Sequence, residues 1–570
     1  MNRREIVYYD VSPFASVSAQ AVTPPNIQAF SRVQKLFREN QRFRSIQTCE
    51  HNYTVLDGTH DSFAPDENIA LWSGYQSLAS RLLPAPIVLD VTFGGLQSSP
   101  GIAFYFDTQN NVYADMVRVI WFKDDDVLSD KTFEPDNVVY SYHNKVELFN
   151  RVRVEFLRLN MSKRYLKLEA VLFGIVRVFG DDSLESLTIN EGLDPTGRTV
   201  NINSASFTIN DTTLTGGSFK DPIPYIFMKR QPLYIKYSVL NRETKIPFGT
   251  YYIDKSKKYA DRRYSVEAVD KIGVLDATDE FLGGMYSDMP AETVINQIVG
   301  AGSAGQPLFS VEIDAELRDM PVNGWLPIMR RREALAQVVL AIGAIIDATR
   351  TDAIKIRAAP KELSRVISKD KIYQSSSVEI EFPVTGVEVV EHNYTPGETS
   401  KELHKDTFTE EKLIKFSEPV SDLKITNGTI IESGVNHAKI TGTGAGETVL
   451  SGRAYLDSQS SVIVKSELEL EGTEERVEKI DRGYLINSGN SQEIAQRLYE
   501  YYRRRHTFDG DFLMNAKGIG DSLYSPEVIG DIVQIKNLFE ESDDITGNIE
   551  KLTLHLGAAN IKARGVVRGD

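Results

Sequence analysis

The chain has 570 residues, too many for one hydrophobic core, so roughly three to five domains are expected. Its composition, 41% hydrophobic and 25% charged, is that of an ordinary globular protein, and its formal net charge of −16 disfavours a general nucleic-acid binder, which needs a broad basic surface. A single cysteine, Cys49, excludes an intramolecular disulfide and a cysteine-rich zinc site.

Residues 1–60 read as an N-terminal arm. Met1-Asn2-Arg3-Arg4 runs into Glu5 and polar sequence rather than an apolar signal core, so folding in the cytoplasm is expected. Ile6–Asp10 is strand-like, and Ala21–Pro25 is a loop. Ile27–Asn40 has the spacing of a helix with Phe30, Val33 and Phe37 on one side. Arg32, Lys35, Arg38, Arg42 and Arg44 make this stretch basic; a solvated or partner-bound face accounts for them better than a nucleic-acid arm. Cys49, His51, His60 and Asp61 are metal-ligating residue types, but their spacing matches no ligand pattern.

Residues 61–182 read as a β-sandwich, jelly-roll-like or carbohydrate-binding-like. Strands are expected over Gly101–Phe106, Met116–Phe122, Val152–Leu159 and Tyr165–Phe173, with turn residues and no long helix between them. Val152, Val154 and Phe156 alternate with Arg153 and Glu155, which gives one apolar and one polar face. Trp72, Tyr105, Trp121, Tyr140 and Tyr142 are candidates for a sugar platform, although aromatic side chains in strands more often build a core. Asp124, Asp125, Asp126 and Asp130 are oxygen donors of the kind calcium takes, but the EF-hand spacing is absent and a solvated loop is the simpler reading.

Residues 183–280 form a second β unit of short strands, with Tyr264, Val266 and Ala268 alternating along one of them. Residues 281–371 are a small α/β domain. Pro290 opens a helix with Val294, Ile295 and Ile298 on its apolar face. The glycine-rich run Gly300–Gly305 follows a helix and leads into a strand, the reverse of a phosphate-binding loop. Leu335, Val338, Val339 and Ile342 then mark one face of a helix whose first turn, Arg330 to Glu333, is read as solvated. Gly343 sits where an αL residue would stop that helix. A buried strand Ala344–Ala348, a turn at Arg350-Thr351-Asp352 and a return strand Ala353–Arg357 complete the block. The longest apolar stretch, Ala334–Ala348, is broken by Gln337 and Gly343, so it is a core helix and strand rather than a membrane span.

Residues 372–480 are β again, as an inserted domain with strands from Val378–Phe382 to Val462–Lys465 and a tight turn at Asn427-Gly428. Residues 481–570 hold a helix over Ser491–Arg505, opened by a capping-box pair Asn490 and Glu493, and closing strands near 528–535, 546–556 and 560–567.

Several phrases carry a family resemblance. They are Gln231-Pro232-Leu233, Phe248–Asp254, Asp270–Asp276, Gly324–Ile328, Arg331–Leu335, Ala341–Ala344 with Asp347, Gly530-Asp531, and Gly547 followed by Glu550–Leu552. In this order they resemble the tail-tip, or baseplate, hub proteins of phages and prophages of Gram-positive, clostridial-type bacteria. The resemblance covers about residues 183–570. It implies a mainly β fold with small α/β segments, an N-terminal sandwich and two hub β-barrels at 183–280 and 481–570. It also implies a homotrimer between the tail tube or distal tail protein and a spike, fibre or receptor-binding protein, with DNA passing the lumen without stable binding. A receptor- or glycan-binding tail protein using the sandwich is the alternative. Contractile, flexible and bacteriocin-type particles are all compatible.

No catalytic pattern stands out. His-Glu-x-x-His, Gly-x-Ser-x-Gly and Walker sequences are absent, and Cys49 has no evident base beside it. The expectation is a structural protein without catalytic, cofactor-binding or metal residues.

Overall fold

Strands dominate the segments described by this computed structural model. Those residues are 3–11, 19–29, 31–37, 70–107, 110–181, 183–210, 231–238, 245–260, 263–300, 309–351, 353–373, 376–382, 384–466, 475–514, 529–539, 543–557 and 561–570. They divide into two units, Ile6–Phe179 with Gly216–Leu233, and Met1–Glu5 with Gly180–Thr215 and Tyr234–Asp570.

In the first unit the sheet order is Leu71–Gln76, Tyr165–Leu172, Leu82–Phe106, Val139–Leu159, Ala114–Lys123, Asp126–Phe133, with Gln20–Val22 beside Leu82–Phe106. The two longest strands bend together. Their register runs from Ile87↔Phe156 to Thr92↔Arg151, slips, and resumes from Gly101↔His143 to Tyr105↔Val139. The bend brings Phe104 edge-on to Phe156 at 5.7 Å. Val152, Val154 and Phe156 are fully buried, as their alternation predicts. Only the end of Leu82–Phe106, over Gly101–Phe106, was legible as a strand, because Pro84, Pro86, Gly94 and Gly95 are residues that break strands. The expected helix over Ile27–Asn40 appears as a short 3-10 helix, Val33–Phe37, whose Val33, Leu36 and Phe37 join the core. Phe30 and residues 38–40 lie outside the described residues.

The second unit is organised by one extended sheet. Its order runs Ser377–Ile380, His506–Met514, Ile561–Gly569, Ile545–Leu556, Leu184–Gly192, Ser204–Asn210, Arg263–Val269, Lys245–Ala260. Ile532–Lys536 also lies beside Ile545–Leu556 and carries Leu363–Ser368 on its other edge. Two separate barrels were expected here. Instead the two strand sets share Ile545–Leu556, and the described pairings close neither into a ring. Each set curls nonetheless. The Tyr373 N–H donates to the Asp511 carbonyl at 2.8 Å, which draws the chain after Leu363–Ser368 round to His506–Met514. On the other side the Tyr237 hydroxyl donates to the Gly557 carbonyl at 3.2 Å.

Between the curls sits the α/β block. Its helices are α1 (Lys271–Asp276), α2 (Ala291–Val299), α3 (Ala315–Arg318) and α4 (Arg331–Ala341). Gly343 has φ +71° and ends α4 as expected, and Ala344–Asp347 pairs antiparallel with Ile354–Ala358. The one-sided stripe expected for α4 is only part of the burial. Ala334, Ala336 and Ala341 are buried in the same core as the stripe, and Leu340 packs into a second core with Val387, Val389, Ile486, Ile494 and Leu498.

In the inserted region Gly386–Asp406 pairs with Thr448–Lys465 along a ribbon much longer than its apolar pattern suggests. Asn427, with φ +54°, is a corner rather than a hairpin turn. The strand before it, Val420–Thr426, pairs with Thr448–Lys465, and the strand after it, Gly428–Ser433, pairs with His437–Gly442 in another sheet. The last helix, α5, is Ser491–Tyr502. Asn490 makes no capping bond to it. Its side-chain amide donates instead to the carbonyls of Ala341 and Leu485, at 3.2 and 3.1 Å, tying the start of α5 to the end of α4.

Candidate functional site

The polar chemistry of the second unit is concentrated where the α/β block meets its neighbours. The hairpin tip after Asp347 carries Arg350 in the left-handed region, at φ +51°. Its guanidinium makes paired hydrogen bonds of 2.9 and 2.8 Å to the Glu191 carboxylate, whose side chain is fully buried. It also lies 5.1 Å from the centre of the Phe248 ring. Gly249, at φ +95°, admits this tip, since a Cβ there would stand 3.1 Å from the Arg350 backbone. The Lys271 ammonium donates to the Thr351 carbonyl on the same tip. Beside the pair, burial and then the Glu191 charge push the Tyr251 phenol well above its ordinary range.

Asp270 caps α1 by accepting from the Gly273 N–H at 3.0 Å, and its other oxygen accepts from the Asn203 N–H at 3.0 Å. Burial nevertheless raises its carboxyl to about 7.

A second lock joins the inserted β region to the block. Asn436 is fully buried, and its amide donates to the carbonyls of Leu282 and Leu326 at 2.8 and 2.7 Å. Its oxygen accepts from the Trp325 indole N–H at 2.6 Å. Its side-chain polar atoms are all bonded to groups of the α/β block, which fixes the orientation of the loop that carries it.

The first turn of α4 is not simply solvated. Arg331 donates to the Ile298 carbonyl at 2.5 Å, near the C-terminal end of α2, where a cation is favoured. Arg332 donates to the Val200 carbonyl at 3.1 Å and forms an ion pair with Asp276. Gln337, read as an interruption of the apolar stripe, donates to the Arg482 carbonyl at 3.0 Å and accepts from the Tyr484 N–H at 3.0 Å.

A cleft of about 830 Å³ opens where these parts converge. Its walls are the loop from Leu193 to Asn201, α4, residues 480–482, the end of α5, and Glu550, Lys551 and Arg568. Asp194 organises the loop, accepting from the backbone and hydroxyls of Thr196 and Thr199. The Tyr501 hydroxyl donates to Glu550. Burial pushes the Glu550 carboxyl up, against the pull of Tyr501 and Arg568, and pushes the Tyr501 phenol up as well. The Arg198 guanidinium donates to the Tyr502 oxygen at 2.6 Å and pairs with Glu478 at 3.3 Å. These polar groups are engaged with one another, an arrangement suited to holding segments at fixed angles.

The residues singled out from sequence in the first unit do not assemble into a site. Trp121 and Trp72 are buried within the first unit, and Tyr140 and Tyr142 stack on Phe133 at 5.7 and 4.3 Å. Tyr105 is half-buried. The opposite face carries Asp90 between Arg151 and Arg153, and Arg118 between Asp130 and Glu155. Asp130 is thus in an ion pair, and Asp124 bonds to Asn150 at 2.7 Å. Among the described residues no three His, Cys, Asp or Glu side chains are grouped to hold a metal. Cys49, His51, His60 and Asp61 lie outside the described residues. Among the described residues no helix is long and apolar enough to cross a membrane.

No family model and no curated protein sequence matches the chain. Solved structures do. A tail protein from Neisseria meningitidis MC58 aligns with TM-score 0.41 and 10% identity, over 68% of this chain and 93% of its own. A 43 kDa tail protein of prophage MuSo2 from Shewanella oneidensis aligns with TM-score 0.39 and 10% identity, over 69% and 95%. The prophage tail protein gp18 from Listeria monocytogenes aligns with TM-score 0.37 and 11% identity, over 68% and 91%.

Proposed function

We propose that this chain is a structural hub of a phage tail tip or baseplate, assembled as a homotrimer between the tail tube and a distal spike or fibre. One observation carries the reading. The phrases that resemble the hub family include many of the junction residues just described. Gly249 seats the Arg350 tip, and Asp270 caps α1. Trp325 donates to Asn436, and Arg331 and Arg332 donate to neighbouring carbonyls. Gly343 ends α4, and Glu550 meets Tyr501. On this reading the phrases that resemble the family fall on the joints between segments, where a part that transmits force needs them. No stable DNA binding is part of this reading, because a net charge of −16 repels phosphate.

The test is to tag the chain and image the particle that contains it. Label at the distal end of the tail supports the reading; label along the tube or on the head overturns it. A cell-wall clearing assay with pure protein checks the non-enzymatic part, and clearing abolished by one Asp or Glu substitution would overturn that part.

A further inference from the structure

The strand Ile545–Leu556 is shared by both curls, and the point where it changes partner is marked. Along one edge it pairs with Ile532–Lys536 up to Asn548, and from Lys551 onward with Leu184–Gly192. Along the other edge its register with Ile561–Gly569 slips between Ile549 and Lys551. Glu550 is the residue in that slip. A bulge of this kind bends its strand and increases the local twist, so the angle between the two flanking arrays is set there. The 830 Å³ cleft opens beside it, with one wall from the loop after Leu184–Gly192 and another from Glu550, Lys551 and Arg568.

Two neighbouring tyrosines at the end of α5 span the gap. Tyr501 donates its hydroxyl to Glu550 in the bulge, with the Arg504 and Arg568 guanidinium groups 5.5 and 5.3 Å from its ring centre. Tyr502 accepts from Arg198, on the loop after Leu184–Gly192, at 2.6 Å. The helix carrying both is tied at its other end to α4 through Asn490. A shift of α5 along its axis would therefore pull on both curls at once.

We propose that Glu550 is the hinge between the two curls and that Tyr501 and Tyr502 are its latch, so that the position of α5 sets the angle at which the curls are held. Tyr501, Tyr502, Arg198 and Glu550 are positioning residues in this device.

The experiment uses the full chain with Cys49→Ser and nitroxide labels at Lys257→Cys and Lys536→Cys, exposed positions on opposite curls. Double electron–electron resonance reads the distance between them. A single narrow distribution is expected for this background. Tyr501→Phe with Tyr502→Phe should broaden or shift it, and Glu550→Gln, whose amide oxygen still accepts from Tyr501, should restore most of the narrow component relative to Glu550→Ala. An unchanged distribution in the double Phe variant overturns the proposal. So does equal broadening by Gln496→Ala, a control that removes only an exposed bond to Glu500 and leaves α5 and the latch in place. Should the double variant fail to fold, Tyr502→Phe alone is read by the same criteria.

Discussion

Removing the Arg350 guanidinium would leave the fully buried Glu191 carboxyl without its main partner. Breaking a buried pair from one side costs about 3–5 kcal/mol, whereas replacing both members by apolar groups of similar volume is often neutral. Arg350→Met is expected to lower the stability of the second unit by that order, and adding Glu191→Leu should recover most of the loss. Urea unfolding of the two variants checks this; equal destabilisation by single and double variants would show that the pair is not the source.

Asp270 gives a pH signature of opposite sign to an ordinary ion-paired carboxylate. Its folded pKa of about 7 lies above the ordinary 3.8, so the folded state holds the proton more tightly than the unfolded chain. Its contribution is fully present below the unfolded value and is lost as pH rises through about 7. Asp270→Asn should flatten that part of the stability–pH curve. A slope between pH 4 and 7 identical in the two proteins would contradict the assignment. Both residues were visible in the sequence only as members of a turn and of a phrase. What gives them their roles is contact across long separations, from Arg350 to Glu191 and from Asp270 to Asn203, and no local pattern encodes that.

At the scale of elements, α4 was the most legible part of the chain, because its 3.6-residue period and its terminal Gly343 agree. Leu335 is fully buried on its inner face. Leu335→Asp would place a carboxylate there without a partner and is expected to cost about 3–5 kcal/mol or to unfold the block. An unchanged thermal melt would remove α4 from the core. The burial of Leu340 in a second core was not legible, since its partners Val387, Val389, Ile486, Ile494 and Leu498 lie far along the chain. The ribbon Gly386–Asp406 was missed beyond Asn393 for a related reason. Its outer half is largely exposed, so burial imposes no alternation, and its conformation comes from backbone pairing with Thr448–Lys465. Asn427-Gly428 misled in the other direction. The dipeptide favours a positive φ, which is present, but whether the following strand returns or departs is decided by pairing elsewhere.

At the scale of the whole molecule, a mainly β chain with a small α/β block could be read from periodicity, while the sharing of one strand by two curls could not. That sharing changes the assembly argument. Two independent barrels on a tether could take many spacings, whereas two curls joined through Ile545–Leu556 and latched by Tyr501 and Tyr502 are held at one. On the proposed reading the tube above is six-fold and the spike below three-fold. Three copies then present six curls at fixed, alternating spacings and keep three-fold symmetry beneath, which a closed cyclic assembly allows. A single chain cannot complete the ring, and six copies would present twelve curls. Native mass measurement of the tip released intact from particles should therefore give three copies of this 63.9 kDa chain. A monomer, or a six-copy ring, would refute the pairing of curls as the basis of the ring even with every joint in the chain intact.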